Sequence, residues 1–237
     1  MTQIPRQNSS DRERPAFIPD ELPAHAMTLA ASVNRLANTL VSRSVEPHRA
    51  LEITLLLDRL ATELALLPER RKADDLGNRN RVRAFVETGE WPGPPPEGGR
   101  VEFDSGSFVG GELSPFSMGA RYFRDGEEAV GRVTLGRGFE GPPERVHGGA
   151  ICAIFDEVFG SVFRVTGTPS AFTGELSVRF VKPAPLGVPL EFRGRLVRAE
   201  GRRRYLEGEG TGPDGGFATA TGIFIEMKPE QFVLPSD

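Results

Sequence analysis

At 237 residues, 38% hydrophobic and 26% charged, the chain has enough apolar content for a core and is too mixed in composition to be disordered. A net charge of −4 disfavours a duplex nucleic-acid binder, the single Cys152 excludes an internal disulfide framework, and His25, His48 and His147 lie too far apart to predict a metal site. No apolar run nears the ~20 residues of a bilayer span, and the polar N-terminus lacks a signal-type apolar stretch, so the expectation is a soluble protein of the cytoplasm.

Glycine divides the chain. Only two of its 28 glycines, Gly77 and Gly89, precede residue 90, which marks a change from helices to strands and tight turns. Residues 1–20 read as a disordered tail and residues 21–90 as a helical extension. Within it, Leu29, Val33, Leu36 and Leu40 mark one helical face. After a break at Ser42–Pro47, with Ser44 as candidate cap and Pro47 suited to a first turn, Ile53, Leu57, Leu60, Leu64 and Leu67 mark a second. A shorter helix is expected around Asn80–Thr88. The stripes predict packing on the same chain or on a partner subunit. Residues 91–99, WPGPPPEGG, read as a linker, which leaves 100–237 as a second domain.

That second domain has the pattern of strands. Phe116–Arg124 and Glu127–Leu135 flank Asp125-Gly126, a hairpin signal. From Gly148 to Val165 the chain is apolar almost all round (Ile151, Ile154, Phe155, Val158, Phe159, Val162, Phe163), which predicts an enclosed helix. Alternation marks strands through Leu176, Val178 and Phe180 and through Leu190, Phe192 and Leu196; Arg204–Thr211 and Phe217–Glu226 complete the set. Short turns imply antiparallel neighbours. The predicted class is α+β, an antiparallel sheet wrapped around one long central helix.

The segment from Arg145 to Asp156 carries the chemistry. His147, Gly148 and Gly149 stand where the long helix begins, and first-turn N–H groups without intrahelical partners form a donor site for developing negative charge. The same glycines also serve a tight turn into the helix. Asp156 lies inside the apolar helix, where a carboxylate is paired, protonated or functional, or else lies on an exposed stripe. Glu157 is rotated by ~100° and faces elsewhere. Nine residues of helix place His147 and Asp156 ~13 Å apart, too far to act on one carbonyl within one chain. A site that uses both needs two subunits.

With these residues in view, the sequence resembles the hotdog-fold acyl-CoA thioesterases, the PaaI-like group and its eukaryotic thioesterase-superfamily relatives. The matching residues are Gly141-Pro142-Pro143, His147-Gly148-Gly149, Asp156, Gly160, and the run from Thr173 through Leu176, Val178 and Phe180 to Pro183, followed by Pro185-Leu186-Gly187. The resemblance covers about residues 107–228 and leaves the helical extension outside. Some members carry a side-chain amide upstream of the His-Gly-Gly; here that place reads Glu140-Gly141-Pro142.

The resemblance implies hydrolysis of an acyl-CoA thioester by a homodimer or a dimer of dimers. No cofactor is expected beyond the coenzyme A of the substrate, and no nucleic acid. Asp156 would be general base or nucleophile. The Gly149 N–H, with Gly148, would hold the thioester oxygen, His147 would orient that hole, and Thr173 would hold Asp156 or the water. Arg202 and Arg203, at a hairpin tip, would grip the coenzyme A phosphates, or simply form a solvated turn. Cys152 reads as packing. The competing readings are a non-catalytic acyl-CoA-binding or regulatory hotdog protein and an enoyl-thioester hydratase.

Overall fold

The computed structural model describes residues 24–68 and 91–227. The expected tail at 1–20 and the short helix around Asn80–Thr88 lie outside the described residues. Helix α1 spans Ala24–Val41 and α2 spans Pro47–Ala65. Pro47 opens α2 as expected, but Glu46 is the flanking residue and makes no side-chain cap, so Ser44 does not cap it. Proline at the first position lacks the N–H that a cap would satisfy.

The leucine stripes of both helices remain uncovered in the single chain. Leu29 is 54% exposed, Leu36 42% and Leu64 55%, and no residue of α2 is buried. Polar contacts attach α1 instead. Asn34 donates to the carbonyls of Pro115 (3.0 Å) and Ser117 (2.8 Å). Asn38 lies over the short turn of helix Arg137–Phe139, where a side chain at Gly138 would come within 2.6 Å of its Oδ1.

The second region is one antiparallel sheet and one long helix. The strands are β1 (Arg100–Val101), β2 (Arg121–Asp125), β3 (Glu128–Thr134), β4 (Ala171–Phe180), β5 (Pro189–Glu200), β6 (Arg203–Gly212) and β7 (Gly215–Glu226), in the order β1-β2-β3-β5-β6-β7-β4. Gly126 supplies the positive φ of the β2–β3 hairpin. β1 was not visible as a strand in the sequence. Backbone bonds of Gly98 and Gly99 to Arg124 extend its pairing back into the proline-rich segment.

Helix α3 spans Gly148–Val165 and is the apolar helix expected from the sequence; all seven of its large apolar side chains named above are buried. It packs on one face of the sheet. Four glycines open the space: a Cβ at Gly131 would lie 2.7 Å from Val158, and Cβ atoms at Gly194, Gly208 and Gly222 would lie 2.9, 2.8 and 2.9 Å from the ring of Phe159. Missing side chains in four strands thus let the helix centre approach the sheet closely. Phe159 meets Phe224 edge-on at 6.1 Å, and Phe155 meets Phe192 at 5.1 Å. No helix among the described residues is long and apolar enough to cross a membrane.

Candidate active site

The start of α3 is built by a tight turn. Gly141 N–H donates to Arg145 O (2.9 Å), and Glu144 takes a left-handed φ of 62°. Glu140 braces the turn by accepting from Glu144 N–H (2.6 Å) and pairing with Arg137 (3.0 Å). These contacts hold the Glu140 carboxyl below its usual range, the Glu144 N–H first and Arg137 second. Its carboxylate is therefore committed to the loop.

His147 then caps the helix. Its Nδ1 accepts the N–H of Gly149 at 2.9 Å, and its own N–H donates to Phe139 O at 2.8 Å. The donor expected to hold a thioester oxygen is thus occupied by the imidazole in the single chain. The physical reason is local: a first-turn N–H takes the nearest acceptor. A Cβ at Gly148 would stand 3.2 Å from the ring of Phe180, so glycine there lets the helix start approach the end of β4.

Asp156 lies half-buried two turns further on, and its Oδ1 accepts from Thr173 Oγ1 at 2.6 Å. A β-bulge delivers Thr173. Leu176, Val178 and Phe180 pair with Gly222, Ala220 and Ala218, so strict alternation would turn Thr173 to the opposite face. The register shifts between Thr173 and Glu175, pairing Thr173 with buried Phe224 and returning it to the helix side.

The sequence-expected residues therefore form two groups. Asp156 and Thr173 meet at the start of β4, and His147, Gly148 and Gly149 lie beside its end. The groups are ~13 Å apart along α3. Arg202 donates to Glu226 O (2.8 Å), Arg204 pairs with the Glu226 carboxylate, and Arg203 is exposed. Because Glu226 pairs with Ala171, this arginine turn lies at the Thr173 end of the sheet. Burial pushes the Cys152 thiol up, away from a reactive thiolate.

Sequence reading missed the other carboxylate. Glu157 does face away from Asp156, but into the interior: it is 7% exposed and accepts from Ser107 Oγ and from Tyr122 OH (2.6 Å). Burial pushes its carboxyl up, more than the two hydroxyls draw it down. Its position in the apolar run was a visible signal; its partners were not.

A sequence model of the Thioesterase superfamily matches residues 144–217, from the turn before His147 to the start of β7. The acyl-coenzyme A thioesterase THEM4 of Bos taurus is 32% identical over 94 residues, 39% of this chain and 38% of that protein. THEM4 of Mus musculus is 32% identical over 94 residues, 39% of this chain and 40% of that protein. The chain therefore matches less than half the length of these relatives. The crystal structure of a thioesterase superfamily protein has a TM-score of 0.67 at 21% identity, covering 89% of this chain and 94% of that one. That likeness is one of fold.

Proposed function

We propose that this chain, a member of the hotdog-fold thioesterase superfamily, hydrolyses an acyl-CoA thioester at a site shared between two subunits. The observation that carries the reading is the Asp156–Thr173 hydrogen bond, which the bulge in β4 makes possible. A general base needs a fixed carboxylate with an oxygen left for water, and Thr173 occupies only Oδ1.

In the proposed reaction, Asp156 takes a proton from water and the water oxygen attacks the thioester carbonyl. Negative charge builds on the carbonyl oxygen, which the Gly149 N–H receives at the positive end of the α3 dipole. The arriving oxygen displaces the His147 imidazole from that N–H, and His147 then orients the hole. Collapse of the tetrahedral intermediate breaks the C–S bond, and the proton held by Asp156 passes to the departing sulfur. The acid and the coenzyme A thiol are released with Asp156 ionised again. Arg203, exposed and next to the Arg202–Glu226 contact, suits the coenzyme A phosphates.

The test is thiol release from a series of acyl-CoAs. Asp156→Asn keeps shape and removes the charge, so kcat falls by about 10²–10⁴-fold with KM little changed. His147→Ala, which frees the Gly149 N–H, costs less. Near wild-type turnover by folded Asp156→Asn would refute the base assignment.

A further inference from the structure

We propose that Glu157 is a positioning residue for Asp156: its buried hydrogen bonds to Ser107 and Tyr122 fix the rotation of α3 that presents Asp156 to Thr173. The proposal rests on the reading of Asp156 as catalytic base.

The two carboxylates are sequence neighbours held from opposite ends of one sheet. Asp156 is bonded from β4, the last strand in the order, and Glu157 from β2, the second. A helix gripped at adjacent residues, ~100° apart around its axis, from two directions has no rotational freedom at that level. Side-chain oxygens lie about 5 Å from the helix axis, so a rotation of ~10° carries an Asp156 oxygen by ~1 Å. An error of that size in a catalytic group costs up to ~10²-fold in rate.

The partners of Glu157 are themselves fixed. Ser107 Oγ accepts the Val109 N–H at 3.0 Å, which aims its proton at Glu157. The Tyr122 ring occupies the space left by two glycines, with a Cβ at Gly110 falling 2.7 Å and one at Gly131 3.3 Å from it. Phe103 packs on Tyr122 at 5.7 Å and against Gly160, and the Arg164 guanidinium lies over the Phe103 ring at 4.3 Å. The segment from Phe103 to Tyr122 therefore clasps the flank of α3 over two turns. A hydrophobic residue would fill position 157 without the cost of burying a carboxylate. A carboxylate, unlike a hydrophobe, sets an angle.

The experiment compares Glu157→Leu, Glu157→Gln and Tyr122→Phe with wild type, using thiol release and the carboxyl ¹³C resonance of Asp156 in aspartate-labelled protein. Tyr122→Phe and Glu157→Gln preserve shape and guard against a folding failure in Glu157→Leu. Expected are a kcat lowered ~10–100-fold in Glu157→Leu, KM within about twofold, partial recovery in Glu157→Gln, and a displaced Asp156 resonance. In an Asp156→Asn background, Glu157→Leu lowers the rate no further. Wild-type kcat together with an unmoved resonance in all three variants overturns the proposal while the hydrolase reading stands. If wild type releases no thiol from any acyl-CoA, the hydrolase reading fails, and the resonance alone decides: displaced supports the positioning role, unmoved overturns it.

Discussion

Asp156 and Glu157 share a helix and a chemistry, yet one is half-buried beside an edge strand and the other is enclosed by Ser107 and Tyr122. The consequence for Glu157 is a linkage with a defined sign. Burial raises its folded-state pKa above the ordinary 4.5, with Asp104 adding to the shift and Arg164 opposing it. Its contribution to stability is therefore complete below pH 4.5 and is lost as pH rises through the raised value. Glu157→Gln cannot ionise, so wild type gains melting temperature relative to this variant as pH falls from neutral toward that ordinary value. A difference in melting temperature that stays constant with pH would show that ionised Glu157 costs nothing. At this scale the sequence pointed to Asp156 and Thr173, because both stand in a recognisable run. It was silent on the surroundings of Glu157, whose two partners lie 50 and 35 residues away in sequence. Loop segments such as 103–120 carry no periodicity from which such a contact can be read.

Among the elements, β4 shows how a local irregularity brings Thr173 to Asp156. Alternation of Leu176, Val178 and Phe180 identifies the strand, but the same alternation places Thr173 on the wrong face. The bulge restores it, and Gly174 is the residue at the step. A Cβ there would meet Ile223 O at 3.1 Å and Ile225 Cγ1 at 3.3 Å, a crowding that costs about 1 kcal/mol. Gly174→Ala should thus lower the melting temperature modestly and reduce kcat about as much as Thr173→Ala does. The double variant should add little to either alone, since both act through one hydrogen bond. A Gly174→Ala protein with full turnover would show that turnover does not depend on the glycine at the bulge that presents Thr173 to Asp156. The helical extension illustrates the opposite limit of sequence reading. Its stripes predicted α1 and α2 correctly as helices, but the hydrogen bonds that attach α1 come from Asn34, with Asn38 packed over Gly138, and a hydrophobic pattern registers neither.

At the scale of the whole molecule, the two groups of the proposed site lie at opposite ends of β4 in one chain. That strand is the terminal member of the sheet, with Phe172 54% and Phe180 52% exposed. Edge strands with free backbone groups pair with another strand where one is offered. If β4 pairs with its own copy about a two-fold axis, the strands run antiparallel, and the Thr173 end of each lies beside the Phe180 end of the other. Asp156 of one protomer then approaches Gly149 of the partner subunit, which joins the two groups that helix length separates within a chain. Mixed dimers test this arrangement. One chain carries Asp156→Asn; the other carries Gly149→Pro, which removes the N–H at a helix start where proline is tolerated. Each homodimer has no complete site. The mixed dimer has one site broken twice and one intact, so purified heterodimer should recover about half the wild-type turnover. Recovery demands that base and oxyanion donor come from different chains. A heterodimer as inactive as its two parents would instead place both functions within one protomer, and α3 would have to supply them across a gap its own geometry does not close.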